Sequence, residues 1–161
     1  MNQAKIIFRN IYCTPVSKEH INKGWLSWMN NPITAKQINK KGKKYTEHDL
    51  ENYLKEKKSI FFLACYTNEN EYFGNLRIHE WTSNIACFGR LIGSDKHRGK
   101  GYGKLILIKG INKINKIYMR PKIIAITKKN NIVSQKCLIS ANFKLKSAKK
   151  NKLKYYFKNI K

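Results

Sequence analysis

Residues 98–103 read Arg98-Gly99-Lys100-Gly101-Tyr102-Gly103, with three glycines in six positions. They lie between a short, mostly apolar run at residues 85–92, which predicts a strand, and residues 103–117, whose apolar side chains recur at helical spacing. A strand, a glycine loop and a helix together can bind phosphate. Glycine lets the backbone approach a ligand closely, and the N–H groups of the first helical turn point at the anion.

The spacing of the glycines excludes two common phosphate-binding loops. The G-x-G-x-x-G pattern of dinucleotide-binding proteins is absent. A P-loop needs Ser or Thr directly after its Gly-Lys pair, whereas Gly103-Lys104 is followed by Leu105. The loop therefore calls for a different phosphate-bearing ligand.

The remaining sequence predicts one mixed α/β domain over residues 1–161, with helices packed against a sheet. Ser17 is expected to cap the first helix, which Pro32 ends, and Thr46 with Asp49 predicts a capping box for the second. In chain order we predict a strand at 5–13, helices at 17–29 and from 46, strands at 60–66, 73–81 and 85–92, a helix at 103–117, a strand at 123–127, a helix at 131–140, and strands at 143–145 and 153–157.

Several motifs together resemble the GNAT superfamily of N-acetyltransferases. Arg98, Gly101 and Gly103 fill the fixed positions of the family signature [Gln/Arg]-x-x-Gly-x-[Gly/Ala]. Residues 131–134, Asn-Ile-Val-Ser, look like the Asn-x-x-Ser that opens a later family helix. Residues 28–32 and 45–50 resemble Trp-Leu-Asn-Asp-Pro and Tyr-Thr-x-x-Asp-Leu, patterns of the branch that holds ribosomal-protein N-terminal acetyltransferases and bacterial amino-sugar acetyltransferases.

The resemblance implies an α/β (α+β) GNAT fold: a mixed, mostly antiparallel sheet with helices on both faces and a V-shaped splay between two central parallel strands. It implies acetyl-CoA as cosubstrate and no metal. Backbone amides of residues 98–103 would hold the CoA pyrophosphate, Lys100 or Lys104 would add charge, and the strand edge at Leu91, Ile92 and Gly93 would pair with pantetheine. The cofactor-binding residues implied are Leu91, Ile92, Gly93, Arg98, Gly99, Lys100, Gly101, Tyr102, Gly103, Lys104, Asn131 and Ser134.

The sequence departs from the family at the proton donor. The family's usual tyrosine, seven residues after the asparagine of that motif, is replaced by Leu138, so the general acid is not identified. For the base, the predicted strand at 73–81 offers His79 and Glu80 near its end. These side chains alternate in direction, so only one of them can face the cleft. We choose Glu80, with His79 as the second candidate.

The acceptor is expected to be a small-molecule amine. Trp28, Asn30, Asn31 and Tyr45 are candidate contacts, although a tryptophan placed like Trp28 is more often a core residue than a platform for a sugar. With no strong base evident, an amine of low pKa is the easier substrate. A nucleotide-linked amino sugar also suits a basic surface, and the alternatives are a protein N-terminal α-amine or a CoA-binding protein with little catalysis.

Composition limits the other classes of partner. The 34 basic and nine acidic residues give a net charge of +25, but the lysines are spread along the chain and form no stripe for nucleic acid. No apolar run is long enough to span a membrane and no secretory leader is evident, so a cytoplasmic monomer or homodimer is expected. The histidines at positions 20, 48 and 97 are expected at the surface.

Overall fold

The structure is a computed structural model that describes residues 10–38, 42–56, 59–118 and 122–157. Seven strands form one sheet in the order β1-β2-β3-β4-β5-β7-β6, in which β4 and β5 are parallel and every other pair is antiparallel. The strands are β1 Ile11–Pro15, β2 Ser59–Thr67, β3 Tyr72–Thr82, β4 Ile85–Ile92, β5 Lys122–Lys128, β6 Phe143–Lys149 and β7 Lys152–Phe157.

Five α-helices accompany the sheet in the described ranges: α1 Leu26–Asn30, α2 Pro32–Ile38, α3 Glu47–Lys55, α4 Tyr102–Asn115 and α5 Ile132–Ser140. One apolar cluster lies between the sheet and α4 with α5, where Leu76, Ile106 and Leu138 are fully buried. A second cluster, around Trp25 and Leu50, covers the opposite face of the sheet. The predicted mixed sheet with helices on both faces is confirmed.

The predicted splay between the central parallel strands is also present. Pairing between β4 and β5 runs from Ile85 opposite Lys122 to Phe88 opposite Ala125 and ends there, although β4 continues to Ile92 and β5 to Lys128. The other edge of β5 stays paired with β7 from Ile123 to Lys128. A gap, here called the β4–β5 gap, therefore opens between Gly89–Ile92 and the end of β5.

Two predicted helix starts are confirmed in atomic detail. The Thr46 hydroxyl accepts from the Asp49 N–H at 3.2 Å while the Asp49 carboxylate accepts from the Thr46 N–H at 2.9 Å, which is the capping box that the sequence indicates. Asn131 caps α5 by accepting from the Ser134 N–H at 3.0 Å. Both caps satisfy N–H groups that a helix cannot pair internally.

The region predicted as one helix over residues 17–29 differs from the prediction. A π-helical segment, Ile21–Trp25, precedes α1, and Gly24 breaks it at φ 147°, a conformation that only glycine adopts readily. The Ser17 hydroxyl contacts the ring nitrogen Nδ1 of His20 at 2.9 Å instead of capping the backbone. The prediction of one helix over residues 17–29 with Ser17 as its cap is therefore wrong.

Pro32 begins a helix that the sequence analysis missed. Asn31 is extended (ψ 131°), as expected before proline, and its side chain accepts from the Ile33 N–H at 2.9 Å at the start of α2. Proline suits the first helical position because its missing N–H has no partner there. At the N-terminus, β1 extends to Pro15, and residues 5–9 of the predicted first strand lie outside the described residues.

Candidate active site

The glycine loop between β4 and α4 takes a backbone shape that favours glycine. Gly99 and Gly101 have φ of 71° and 84°, and a Cβ on either would meet no atom within 4 Å. Glycine is thus needed there for conformation and not for space. Gly101 is the N-cap of α4 and offers no capping side chain, so the first turn of this 14-residue helix presents its N–H groups toward the loop.

Arg98 holds the loop to the end of β4. Its Nε donates to the Ile92 carbonyl at 3.0 Å, and its guanidinium also donates to the Gly93 carbonyl at 3.3 Å and to the Thr34 hydroxyl at 2.8 Å. Asp95 pairs with it at 2.9 Å. The signature arginine therefore ties together β4, the loop and α2.

His97 supports the same loop from the protein interior. Both His97 and His20 are only 5 % exposed, which corrects the expectation that they lie at the surface. The Ser94 hydroxyl contacts Nδ1 of His97 at 2.8 Å, and Nε2 of His97 lies 3.1 Å from the Glu71 carboxylate. Glu71 also pairs with Lys96, whose hydrogen bond lowers the pKa of that carboxyl. The turn that precedes the glycines is therefore fixed to the start of β3.

A cleft of about 730 Å³ opens on the other face of the sheet, at the far side of the β4–β5 gap. Volumes of this order suit a small molecule. Strand β3 lines it with alternate side chains, and the end of β4 forms its floor next to them. The lining residues include Lys43, Tyr45, Asp49, Glu56, Asn75, Arg77, His79, Gly89, Arg90 and Leu91.

The structure favours His79 over Glu80 as the group that faces this cleft. His79 is half-buried in the lining, whereas Glu80 is exposed and points to the opposite face of β3. Burial lowers the pKa of His79, and the positive charge of Arg77 lowers it further. The imidazole is therefore neutral at pH 7 and able to accept a proton, and its buried Nδ1 has no hydrogen-bond partner among the described residues.

Asn75 is a site residue that the sequence analysis missed. It is 4 % exposed, and its Oδ1 accepts from the Tyr72 hydroxyl at 2.7 Å, but its Nδ2 is a buried donor with no protein partner within the described ranges. A buried unpaired donor is costly, so a donor that lines a cleft is suited to a ligand oxygen. The polar residues at 75, 77 and 79, all on one face of a predicted strand, were the readable signal.

The four predicted acceptor residues, Trp28, Asn30, Asn31 and Tyr45, lie in one region, but most of their side chains make contacts within the protein. The Asn30 amide clamps the backbone of Tyr45, donating to its carbonyl at 3.0 Å and accepting from its N–H at 2.8 Å. Asn31 caps α2. Trp28 packs on Tyr72 with ring centroids 4.5 Å apart, and Tyr45 lines the cleft.

Two ion pairs lie in the cleft lining. Lys43 lies 2.8 Å from Asp49, and Arg77 lies 2.7 Å from Glu56. The hydrogen bond from Lys43, together with those from Thr46, lowers the pKa of Asp49 to about 2. The Asp49 carboxylate is therefore charged at neutral pH.

Leu138 lies outside the cleft: it is 1 % exposed and packs into the core from α5. The residue from β4 that approaches α5 is Arg90, whose guanidinium lies 3.4 Å from the Ser134 hydroxyl.

No group of three or more metal-ligating side chains occurs in the parts of the chain that the structure describes, and none of the helices there has the length and apolarity that a membrane span requires.

No protein-family model matches the sequence, and no curated protein sequence matches it. Solved structures do match. A domain from Methanocaldococcus jannaschii aligns with a TM-score of 0.78 at 20% identity, covering 92% of this chain and 97% of that one. An aminoglycoside acetyltransferase solved with coenzyme A aligns at 0.75 and 15% identity (91% and 93% covered), and a GNAT-family acetyltransferase from Bacillus anthracis at 0.74 and 15% (91% and 92%). This chain has the fold of the GNAT acetyltransferases.

Proposed function

We propose that this protein is an N-acetyltransferase that transfers an acetyl group from acetyl-CoA to a primary amine of a small molecule. The observation that carries the proposal is the β4–β5 gap. The end of β4 borders this gap and leads into the glycine loop, and three of its residues, Gly89, Arg90 and Leu91, also line the cleft, so the gap would offer a passage between loop and cleft. A ligand with a pyrophosphate at one end and a reactive thioester at the other suits such a passage. One relative in fold, an aminoglycoside acetyltransferase, was solved with coenzyme A and, in a second structure, with acetyl-CoA.

The residues around the gap fit the cosubstrate. The N–H groups at the start of α4 and the nearby Lys104 suit the pyrophosphate. Gly93 donates its N–H to the Phe73 carbonyl of β3 at 3.0 Å. Peptide groups alternate along a strand, so the N–H of Ile92 points the other way, into the gap. That N–H is positioned to donate to the thioester carbonyl oxygen as charge develops on it.

His79 and the cleft would serve the amine. An amine attacks only when neutral, and a neutral imidazole at the cleft wall can take its proton as the nitrogen–carbon bond forms. The cleft would also hold the amine against the thioester, which lowers the entropic cost of the reaction. Asn75 Nδ2 would orient a polar group of the acceptor.

We further propose a nucleotide-linked amino sugar as the acceptor. The polar lining suits a sugar, Lys43 lies in that lining where it could meet a diphosphate, and the net charge of +25 attracts an anionic substrate. A polycationic amine is the second candidate, because Asp49 and Glu56 both line the cleft. The relatives in fold include spermidine and aminoglycoside acetyltransferases.

Thiol release from acetyl-CoA with a panel of amines tests the proposal. The panel contains UDP- and dTDP-linked amino sugars, the same sugars without nucleotide, spermidine, and a peptide with a free α-amine. Turnover of the sugar nucleotides, and much slower turnover of the free sugars, is expected because the diphosphate supplies remote binding energy. If only spermidine or only the peptide is acetylated, that amine replaces the nucleotide-linked amino sugar as the acceptor, and the sugar proposal is wrong. Failure of every amine, with acetyl-CoA leaving the melting temperature unchanged, would contradict the transferase assignment.

A further inference from the structure

Arg90 lies at the point where β4 and β5 part. It is two residues beyond Phe88, the last residue of β4 that pairs with β5. Side chains alternate along a strand, so Arg90 shares the Phe88 face and points toward α4 and α5. Its guanidinium lies 3.4 Å from the Ser134 hydroxyl and 3.5 Å from the Ser134 carbonyl. The side chain therefore crosses from β4 to α5 inside the β4–β5 gap.

Gly103, in the first turn of α4, leaves the space that Arg90 occupies. A Cβ at Gly103 would lie 3.3 Å from Nε of Arg90 and 3.0 Å from the sulfur of Cys137. Arg90 also belongs to the lining of the cleft on the other face. Any chain that runs from the glycine loop through the gap to the cleft must pass this guanidinium.

The charge of Arg90 is not matched within the described structure. Arg77 pairs with Glu56 and Arg98 pairs with Asp95, but no described carboxylate lies within 4 Å of Arg90, and its two contacts with Ser134 are long. A guanidinium is charged throughout the accessible pH range. A half-buried cation with such weak contacts is suited to an anion that the protein itself does not supply.

We propose that Arg90 stabilises the sulfur of coenzyme A as a thiolate when the acyl group leaves. This inference rests on the proposed transferase function. The amine nitrogen bonds to the carbonyl carbon, the carbon–sulfur bond breaks, its electron pair stays on sulfur, and the amine proton passes to His79 and then to water. Leu138 is buried in the core and donates no proton, so a fixed positive charge beside the sulfur performs the task that a proton donor would otherwise perform.

The test is the affinity for CoA relative to desulfo-CoA, in which hydrogen replaces the thiol, measured by calorimetry across pH. If Arg90 lowers the bound thiol pKa by about one unit from its usual value of about 8.5, the preference for CoA rises about tenfold from about pH 6.5 to about pH 9.5. The other titratable or charged groups around the gap are Cys137 on α5 and Lys104 on α4, with His79 and Arg77 of β3 on the cleft side. Both ligands meet these groups, so the ratio cancels their titration.

Three variants locate the effect. Arg90→Gln should abolish the pH-dependent preference while leaving desulfo-CoA affinity within about twofold, and Arg90→Lys, which keeps a charge, should retain part of it. Lys136→Gln, which removes an exposed charge from α5, is the matched control and should behave as wild type. The ultraviolet absorbance of the thiolate in the wild-type complex gives the bound thiol pKa independently of any variant.

The outcomes separate this proposal from the function on which it rests. If the wild type binds neither ligand, the transferase proposal fails. If it binds both with a constant ratio across pH and an unchanged thiol pKa, the role of Arg90 is wrong while the function stands. If Arg90→Gln weakens CoA and desulfo-CoA equally and keeps the pH-dependent preference for CoA seen in the wild type, Arg90 contacts the pyrophosphate. The thiolate role is then likewise wrong.

Discussion

The indole of Trp28 occupies the space that a side chain on Gly93 would need. A Cβ built on Gly93 lies 1.9 Å from Cδ2 of Trp28, well inside any permitted contact. Trp28 belongs to α1 and Gly93 follows the last residue of β4, so this contact joins the helix beside the cleft to the start of the loop. Trp28 is therefore a packing residue at the junction of the two candidate ligand sites.

Gly93→Ala should therefore destabilise the protein. A methyl group forced against the indole should lower the free energy of unfolding by about 1–3 kcal/mol. Gly89→Ala, four residues earlier in β4, is the matched control, because a Cβ there meets nothing within 4 Å. Urea denaturation of both variants checks the prediction, and equal stability of the two would show that α1 moves away at no cost.

Gly101 separates the stability of the loop from its ligand. Asn and Asp both tolerate the left-handed backbone at this N-cap, and they differ mainly in charge. Gly101→Asp should leave the melting temperature of the free protein at or above that of Gly101→Asn, because a negative charge favours a helix N-terminus. It should nevertheless bind acetyl-CoA at least about tenfold more weakly, because that charge repels the pyrophosphate. Calorimetry compares the two, and equal affinities would remove the start of α4 from the binding site.

His79 and Glu80 can be distinguished by activity. His79→Gln should lower kcat/KM by about 10²–10⁴-fold, the usual contribution of a general base, while Glu80→Gln stays close to wild type. Burial lowers the pKa of His79 below its ordinary value of about 6.5. The imidazole is thus already neutral at pH 7, and its contribution should be lost only as the pH falls below that lowered pKa. A large loss in Glu80→Gln, with His79→Gln active, would restore the choice made from the sequence.

A substitution at Asn30 tests whether this residue supports the cleft wall or contacts the acceptor itself. Asn30→Ala removes both hydrogen bonds to the Tyr45 backbone and should lower the free energy of unfolding by about 1–3 kcal/mol. The KM for the amine should rise together with the loss of stability, because Tyr45 shifts. A raised KM at unchanged stability would instead make Asn30 a direct acceptor contact. Steady-state kinetics and thermal denaturation on the same preparations distinguish the two results.

The sequence predicted the fold well where a local signal has one reading. The glycines at 101 and 103, the Thr46–Asp49 capping box and the Asn131 cap each specify a helix start within a few residues, and the structure has all three. It predicted less where a residue type allows two outcomes. Pro32 both stops a helix and begins one. The hydrogen bond from Arg98 to the Thr34 hydroxyl, which ties α2 to the glycine loop, joins residues 64 positions apart and is not evident from the local sequence.

Site residues were harder to predict because their roles depend on contacts between distant segments. His97 is buried by Glu71 and Ser94, and Arg90 reaches Ser134, 44 residues away. Which of His79 and Glu80 faces the cleft follows from the side of the sheet that α1 and α3 cover, which one strand read alone does not reveal. The buried amide of Asn75 likewise becomes a site residue only when the cleft is known.

The most direct test of the account is a calorimetric titration of acetyl-CoA into the protein at about 0.15 M salt, where the Debye length of about 8 Å suppresses diffuse attraction to the basic surface. The account predicts saturable binding of one acetyl-CoA per chain. Binding that never saturates, or no heat above dilution, would contradict the claim that the glycine loop and the β4–β5 gap form an acetyl-CoA site.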